Sequence, residues 1–282
     1  MNIGGKTKIA SLFGYPVEHT LSPAMHNAAF AHLGLDYCYV PFSVRPEHLK
    51  DAVSGIRAMS MAGVNVTVPH KERIMEFLDS VDEEASFIGA VNTVRLSGDR
   101  LEGFNTDGPG FMCALAEAGI SVAGRNVLVI GCGGAARAIG YYLCREAGKV
   151  GLFDVDETRA RALTKHLNSV GNNVLQAGPD DIKDAGFIQG ADVIINATPL
   201  GLKPADPLPV DPSLISPEQI VCDLIYKDTP LLRAASATGC RTLDGLGMLL
   251  WQGVIAFEIW TGIKPPIEVM KKALLEKITP KG

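Results

Sequence analysis

Short β-branched and apolar runs alternate with longer stretches of helical period along most of the chain, the pattern of an α/β protein with parallel strands. In the first hundred residues the pattern predicts strands near Lys8–Phe13, Tyr37–Val44 and Val64–Val68. A helix is expected to open at Ser22-Pro23, where serine suits an N-cap and proline the first turn, and another near Pro46-Glu47. Gly89 to Phe104 reads as a hairpin, with Ser97-Gly98-Asp99 as turn residues between two short runs. A boundary is expected near Asp107-Gly108-Pro109-Gly110, followed by a linking helix, Phe111–Ala118. Val127–Ile130 then begins a second strand–turn–helix series that continues through Val150–Phe153, Val174–Ala177, Val193–Asn196 and Ile220–Asp223. Five prolines (Pro204, Pro207, Pro209, Pro212 and Pro217) mark Leu202–Pro217 as an irregular loop. Two closing helices are expected over Leu246–Thr261 and Ile267–Ile278.

The chain has 282 residues, which at roughly 150 per domain suggests two domains. Apolar residues at 47% and charged residues at 20% are ordinary globular values and argue against disorder. A net charge of −5 supplies no broad cationic surface, so nucleic-acid binding is not expected. The longest apolar runs fall far short of the ~20 residues a membrane helix needs. The amino-terminal stretch shows no secretory h-region, and the six cysteines are scattered without a C-x-x-C pair. They read as reduced thiols in a cytoplasmic protein. The six histidines lack H-E-x-x-H or similar spacing, so no metal is expected.

One motif carries cofactor chemistry by itself. Val127–Ile130 runs into Gly131-Cys132-Gly133-Gly134-Ala135-Ala136, a G-x-G-x-x-A turn between a buried strand and a helix. Gly131 would permit the tight turn, Gly133 would let the backbone approach a pyrophosphate, and Ala136 would allow close helix packing. The phosphates would sit on helix-terminal N–H groups. Asp154 lies 23 positions past Gly131, where a carboxylate accepts hydrogen bonds from ribose hydroxyls and repels a 2′-phosphate. Two like unit charges about 4 Å apart cost roughly 4 kcal/mol at an effective dielectric of 20, so NAD is expected over NADP. Arg159 and Arg161 follow closely; they read as solvated helix surface, or as groups able to turn toward a phosphate. Cys132 reads as a small packing residue, with a redox-sensing role as the alternative.

Four polar segments are hard to explain as packing: His19–Pro23, Gly63–Lys71, Gly89–Thr93 and Gly103–Gly108. In a strand, Asn65 and Thr67 would share one side, away from Val64, Val66 and Val68, and lead to Lys71. His70 reads as a solvent-facing neighbour, and Trp251 and Trp260 as core. Thr20–Pro23, Asn65–Lys71, Asn92-Thr93, Asn105–Asp107, the Gly131 turn, Asn196–Pro199 and Asp244–Leu249 occur in the order found in shikimate dehydrogenases. In this combination, over essentially the whole chain, the sequence resembles that family.

The resemblance implies reversible hydride transfer between 3-dehydroshikimate and shikimate. It implies that Lys71 and Asp107 form the catalytic pair and that Thr20 and Ser22 hold the substrate carboxylate. Asn65, Thr67, Asn92 and Gln252 would bind the ring hydroxyls, with Asp107 and Tyr226 also on the substrate side. Gly131, Gly133, Gly134, Ala135, Asp154, Arg159 and Leu224 would hold the dinucleotide; Thr198, in the Asn196–Pro199 segment, Gly245 and Met248 would lie beside its nicotinamide. The carbonyl oxygen that receives hydride at its carbon must gain a proton, which a lysine can give when burial lowers its pKa. Two departures stand out. Thr20 replaces the more usual serine, and Asp154-Val155-Asp156 stands where NADP-using members usually carry Asn-Arg-Thr, which resembles the NAD-using quinate/shikimate branch.

The expected architecture is two α/β domains. Residues 1–107 with 246–282 form a substrate domain, and residues 108–245 a Rossmann-type NAD(P) domain, with the active-site cleft between them. Alternatives are a quinate/shikimate dehydrogenase and a non-catalytic nucleotide-sensing protein. A small-molecule substrate is the expected partner, and a homodimer is left open.

Overall fold

The computed structural model describes residues 3–203 and 205–278; of the five loop prolines, Pro204 lies outside them. The chain divides into two compact units, residues 1–106 with 250–282 and residues 107–249.

The first unit is built on strands β1 (Lys8–Gly14), β2 (Tyr37–Ser43), β3 (Gly63–Val66), β4 (Ser80–Val81), β5 (Thr93–Ser97) and β6 (Arg100–Phe104). They form one mixed sheet in the order β2-β1-β3-β5-β6-β4. β1 is parallel to β2 and β3, whereas β3, β5 and β6 run antiparallel in turn. Helices α1 (Ser22–His32), α2 (Leu49–Ala58) and α3 (Glu83–Ile88) connect the strands. One core cluster packs α2 on the sheet through Leu49, Val53 and Ile56 against Phe13, Val64, Val66 and Val94. Because side chains alternate along a strand, Asn65 points away from Val64 and Val66, toward the opposite face.

That opposite face carries aromatic side chains from α1 and from the closing helix α9, whose ranges are Ser22–His32 and Leu246–Thr261. His26 is fully buried there and stacks on Tyr39 with ring centres 4.5 Å apart; Phe257 and Trp260 also flank it. Neither ring nitrogen has a hydrogen-bond partner among the described residues. Burial drops the imidazole to about 3 from an ordinary 6.5, so the ring is neutral at physiological pH. Between those two values the unfolded chain binds a proton that the folded chain refuses. Stability contributed by the neutral ring is therefore complete above about pH 6.5 and is lost on acidification toward pH 3, at up to about 1.4 kcal/mol per pH unit. His26→Phe keeps the stack and removes the titration. Urea unfolding at pH 7 and pH 4.5 is expected to show a shallower acid loss for this variant than for the unchanged protein; equal losses would refute the assignment.

The second unit holds strands β7 (Asn126–Ile130), β8 (Lys149–Phe153), β9 (Val174–Gln176), β10 (Val193–Asn196), β11 (Ile220–Asp223) and β12 (Arg241–Leu243). All pair in parallel, in the order β12-β11-β10-β7-β8-β9. Numbered within the unit and read from the other edge this is 3-2-1-4-5-6, the Rossmann order. Its helices are α4 (Asp107–Glu117), α5 (Gly134–Glu146), α6 (Glu157–Leu167), α7 (Ala185–Gln189) and α8 (Pro230–Thr238). α10 (Ile267–Ile278) closes the chain in the first unit, against α1. No helix of the described residues is long and apolar enough to cross a membrane.

Four local expectations need correction. Ser22 is the first helical residue rather than the cap, which is Leu21 and makes no side-chain cap bond. β3 stops at Val66: the Thr67 N–H makes the last ladder bond, to Phe13 O, and the His70 N–H then closes a turn onto Thr67 O at 2.9 Å. The alternation therefore fails beyond it, and Val68 is 68% exposed. His70 is buried, its Nε2 2.7 Å from Val44 O, instead of facing solvent. The linking helix begins at Asp107, four residues earlier than the sequence suggested, despite its two glycines and a proline; proline at the third position of a helix forfeits no intrahelical bond.

Candidate active site

In the first unit a chain of side-chain hydrogen bonds crosses the sheet on the His26 face. Ser22, 6% exposed, lies beside the Tyr39 phenol. The phenol O–H in turn lies 2.8 Å from Asn65 Oδ1. Asn65 Nδ2 donates to Thr93 Oγ1 at 3.1 Å, and Thr93 Oγ1 donates to Asn92 Oδ1 at 3.1 Å. Asn92 Oδ1 also accepts the Thr106 N–H at 2.8 Å, and its Nδ2 donates to Thr106 Oγ1 at 3.0 Å. Thr20 joins at the start, its Oγ1 accepting the Ser22 N–H at 3.3 Å. The paired strands explain the cluster: register sets Asn65 opposite Thr93, and the residues just before β5 and after β6 supply Asn92 and Thr106. Every member from Ser22 to Thr106 is buried.

Four of the predicted substrate residues, Thr20, Ser22, Asn65 and Asn92, thus come together. Lys71 is half-buried beyond the end of β3, and its C=O accepts the Val91 N–H at 2.8 Å, tying it to the residue before Asn92. Thr67 lies at the same turn, and Gln252 is buried in α9. Asp107 follows Thr106 directly as the first residue of α4, in the second unit. Sequence reasoning missed Tyr39 and Thr106 as parts of this network. For Tyr39 the available signal was a hydroxyl-bearing ring in the middle of a strand, between Cys38 and Val40.

In the second unit the order of strands reverses between β7 and β10, the position at which ligands of open α/β sheets bind beyond the strand ends. Gly131, directly after β7, has φ +96°. A Cβ there would lie 2.7 Å from Thr198 Cγ2, so the residue must be glycine for both shape and space. At Gly133 and Gly134 an added Cβ would meet nothing within 4 Å. Gly133 is the N-cap of α5 and makes no side-chain cap bond, while Ala135 lies in the first turn. This open loop over a 13-residue helix fits a pyrophosphate on the helix N–H groups.

Asp154, after β8, is buried and accepts the Cys132 N–H at 2.8 Å and the Asp156 N–H at 2.9 Å. It braces the glycine loop as well as standing where a ribose would be read. Arg159 comes within 3.9 Å of it but is 58% exposed. The Cys132 thiol is pushed up to about 12, chiefly by burial and then by Asp154, which keeps it protonated as a packing group.

Beyond β10 and β11 a second buried network sets the loops. Asp223 accepts from Asn196 Nδ2 at 3.1 Å, from the Ile225 N–H at 3.0 Å and from Thr229 Oγ1 at 2.8 Å. Burial raises its carboxyl above the ordinary range against those bonds. Asn196 Oδ1 in turn accepts the Thr198 N–H and hydroxyl. Leu224 and Gly245 meet so closely that a Cβ on Gly245 would strike Leu224 O, and the Gly245 N–H donates to Ile225 O at 3.0 Å. Met248 is buried in the first turn of α9, and Tyr226 is half-buried after β11. Asp223 was missed as a buried carboxylate because its partners come from the end of β10 and from the loop after its own strand.

A glycine loop at the switch point of a six-stranded parallel sheet, joined to a unit carrying a buried amide–hydroxyl network, defines a two-unit dinucleotide-dependent α/β protein. Comparison with known proteins narrows the class. Residues 12–94 match the shikimate dehydrogenase substrate binding domain, and residues 245–275 the shikimate 5'-dehydrogenase C-terminal domain. The chain is 44% identical to shikimate dehydrogenase (NADP(+)) of Desulforamulus reducens, over 98% of this chain and 97% of the relative. It is 42% identical to that of Methanocaldococcus jannaschii, over 98% and 99%. A shikimate dehydrogenase crystallised with NADP+ superposes with a TM-score of 0.93 at 42% identity, covering 99% of this chain and 98% of that one. The Listeria monocytogenes enzyme in complex with shikimate and NAD gives 0.90 at 39%, covering 97% and 98%. The chain belongs to the shikimate dehydrogenase family.

Proposed function

We propose that this chain is an NAD(P)-dependent shikimate dehydrogenase that interconverts 3-dehydroshikimate and shikimate in aromatic amino-acid biosynthesis, working in the cytoplasm and with a homodimer as its assembly. The observation that carries the reading is the buried Tyr39–Asn65–Thr93–Asn92 chain within the segment that matches a substrate binding domain. The dinucleotide, when bound, supplies or accepts the hydride.

The residues of the chain do the rest. Lys71 gives the proton that the C3 oxygen needs when the carbonyl is reduced, and takes it back in the reverse direction. The Asp107 carboxylate orients the ammonium and binds substrate. Thr20 and Ser22 hold the substrate carboxylate, while Asn65, Thr67, Asn92 and Gln252 take the ring hydroxyls and Tyr226 closes the substrate side. Gly131, Gly133, Gly134 and Ala135 cradle the pyrophosphate; Asp154 takes the adenosine ribose, with Arg159 at its edge. Thr198, Leu224, Gly245 and Met248 contact the nicotinamide end. Residues 1–106 with 250–282 are the substrate domain and residues 107–249 the dinucleotide domain in this reading.

Asp154 favours NAD, because the carboxylate repels a 2′-phosphate. A second reading, NAD-dependent quinate/shikimate dehydrogenase, draws support from Asp154 and from a quinate dehydrogenase of Corynebacterium glutamicum in complex with NAD, 32% identical with a TM-score of 0.89 and covering 96% of this chain and 99% of that one. Steady-state kinetics with shikimate and quinate, each paired with NAD and NADP, separates them. The expected result is the highest kcat/KM for shikimate with NAD. A comparable value for quinate favours the second reading, and cofactor binding without turnover of either acid overturns both.

A further inference from the structure

Ile130, Asn196 and Asp223 stand in one row at the C-terminal ends of β7, β10 and β11, the edge of the sheet beyond which ligands of such folds bind. Asn196 and Asp223 are the last residues of their strands, and both are buried. An apolar residue would fit a strand whose other members are Ile220, Val221 and Cys222, and burial makes the Asp223 charge costly. The carboxylate instead ties two loops together. On one side its Oδ1 accepts Asn196 Nδ2, and the same amide closes the 196–200 turn. Asn196 Oδ1 takes the Thr198 N–H at 3.0 Å and hydroxyl at 2.6 Å, while Nδ2 donates to Leu200 O at 3.1 Å. That turn lies against the glycine loop, since a Cβ on Gly131 would come 3.0 Å from Ala197 O as well as 2.7 Å from Thr198 Cγ2. On the other side Asp223 Oδ1 accepts the Ile225 N–H, and Ile225 O holds the Gly245 N–H. Asp223 Oδ2 takes the hydroxyl of Thr229, which caps α8.

We infer that Asp223 is a positioning residue for the dinucleotide: through Oδ1 it locks the 196–200 turn to the contact between Ile225 and Gly245, so that Thr198 and Gly245 meet the nicotinamide end as one preformed surface. The inference rests on the proposed dehydrogenase reading, which places Thr198 and Gly245 there. Asp223 itself is buried and acts only through Asn196 and Ile225. Its loss leaves the Asn196 amide and the Ile225 N–H each short of a buried acceptor. The turn and the glycine loop packed against it are then free to shift, and binding must order them again. The cost falls on the dinucleotide and not on the acid, whose proposed contacts Thr20, Ser22, Asn65 and Asn92 belong to the first unit.

The test is equilibrium titration of the protein with NADH and with NADPH, followed by nicotinamide fluorescence, beside urea unfolding. Asp223→Ala is expected to raise the dissociation constant of the better-bound dinucleotide about tenfold, the size of one charge-assisted hydrogen bond, with the KM for shikimate within about twofold. Asp223→Asn is expected to restore affinity to within about threefold, because an amide oxygen can still accept from Asn196 and Ile225. Thr229→Val cuts only the Oδ2 bond and the α8 cap; it is expected to lower the urea midpoint while the dissociation constant stays within about twofold. If Thr229→Val weakens dinucleotide binding as much as Asp223→Ala, the inference is overturned, for the network would then act only through stability. An Asp223→Asn chain as weak as Asp223→Ala overturns it too, as does an Asp223→Ala chain that folds and binds like the unchanged protein. If Asp223→Ala fails to fold, Asn196→Ala takes its place: binding about tenfold weaker supports the inference, and unchanged binding or a second failure to fold overturns it. An unchanged protein that binds neither dinucleotide removes the functional reading and this inference together.

Discussion

Lys71→Ala is expected to lower kcat for shikimate oxidation by about 10²–10⁴-fold, the usual worth of a positioned general acid–base, while the dinucleotide KM stays within about twofold. Without an ammonium group at that place, the oxygen at C3 must exchange its proton with water as hydride moves. Lys71 lies in the first unit and the glycine loop in the second, so an effect confined to kcat separates proton transfer from cofactor binding. Stopped-flow measurement of nicotinamide absorbance with saturating shikimate checks the prediction. Near-normal turnover would remove Lys71 from the acid–base role; a matched rise in the dinucleotide KM would assign it to binding.

The second large effect is expected at Asp154. Asp154→Asn removes the charge that opposes a 2′-phosphate, and the NADP/NAD ratio of kcat/KM is expected to rise by about 10–100-fold. This falls short of the roughly 1,000-fold that a bare 4 kcal/mol repulsion implies, because Arg159 at 3.9 Å already offsets part of the charge. The structure adds a cost on the NAD side. Both carboxylate oxygens accept backbone N–H groups, from Cys132 and Asp156, and an amide offers only one acceptor oxygen. Activity with NAD is therefore expected to fall as activity with NADP rises. An unchanged ratio would show that Asp154 braces the loop and takes no part in selecting the cofactor.

The dinucleotide half was largely legible in the sequence because its determinants are local. A buried strand, a glycine turn and a helix N-terminus lie within a dozen residues, and the carboxylate follows at the next strand end. The substrate half was legible as a set of residues but not as an arrangement. Asn65, Thr93 and Thr106 meet through strand register, and Tyr39 reaches across an intervening strand, neither of which sequence spacing encodes. The local errors have local causes. Period-two reasoning was carried past Val66, where the chain leaves the ladder and turns, the His70 N–H bonding back to Thr67 O. Ser22 satisfied the composition rule for a cap, yet the helix starts on it and Leu21 stands at the cap position. The short elements β4 and β12 carry too few residues, two and three, to display a period.

The pair of bonds between Asn27 and the outer backbone of Tyr39 has a consequence for self-association. An uncovered sheet border is a template on which a foreign strand can grow, and here the middle of β2 is already occupied by a side chain that mimics a peptide group. A strand from another molecule could extend the sheet on this side only after prising α1 away, and the opposite border ends in the two-residue β4. Asparagine at position 27 thus blocks strand addition at the same point where it steadies the tyrosine.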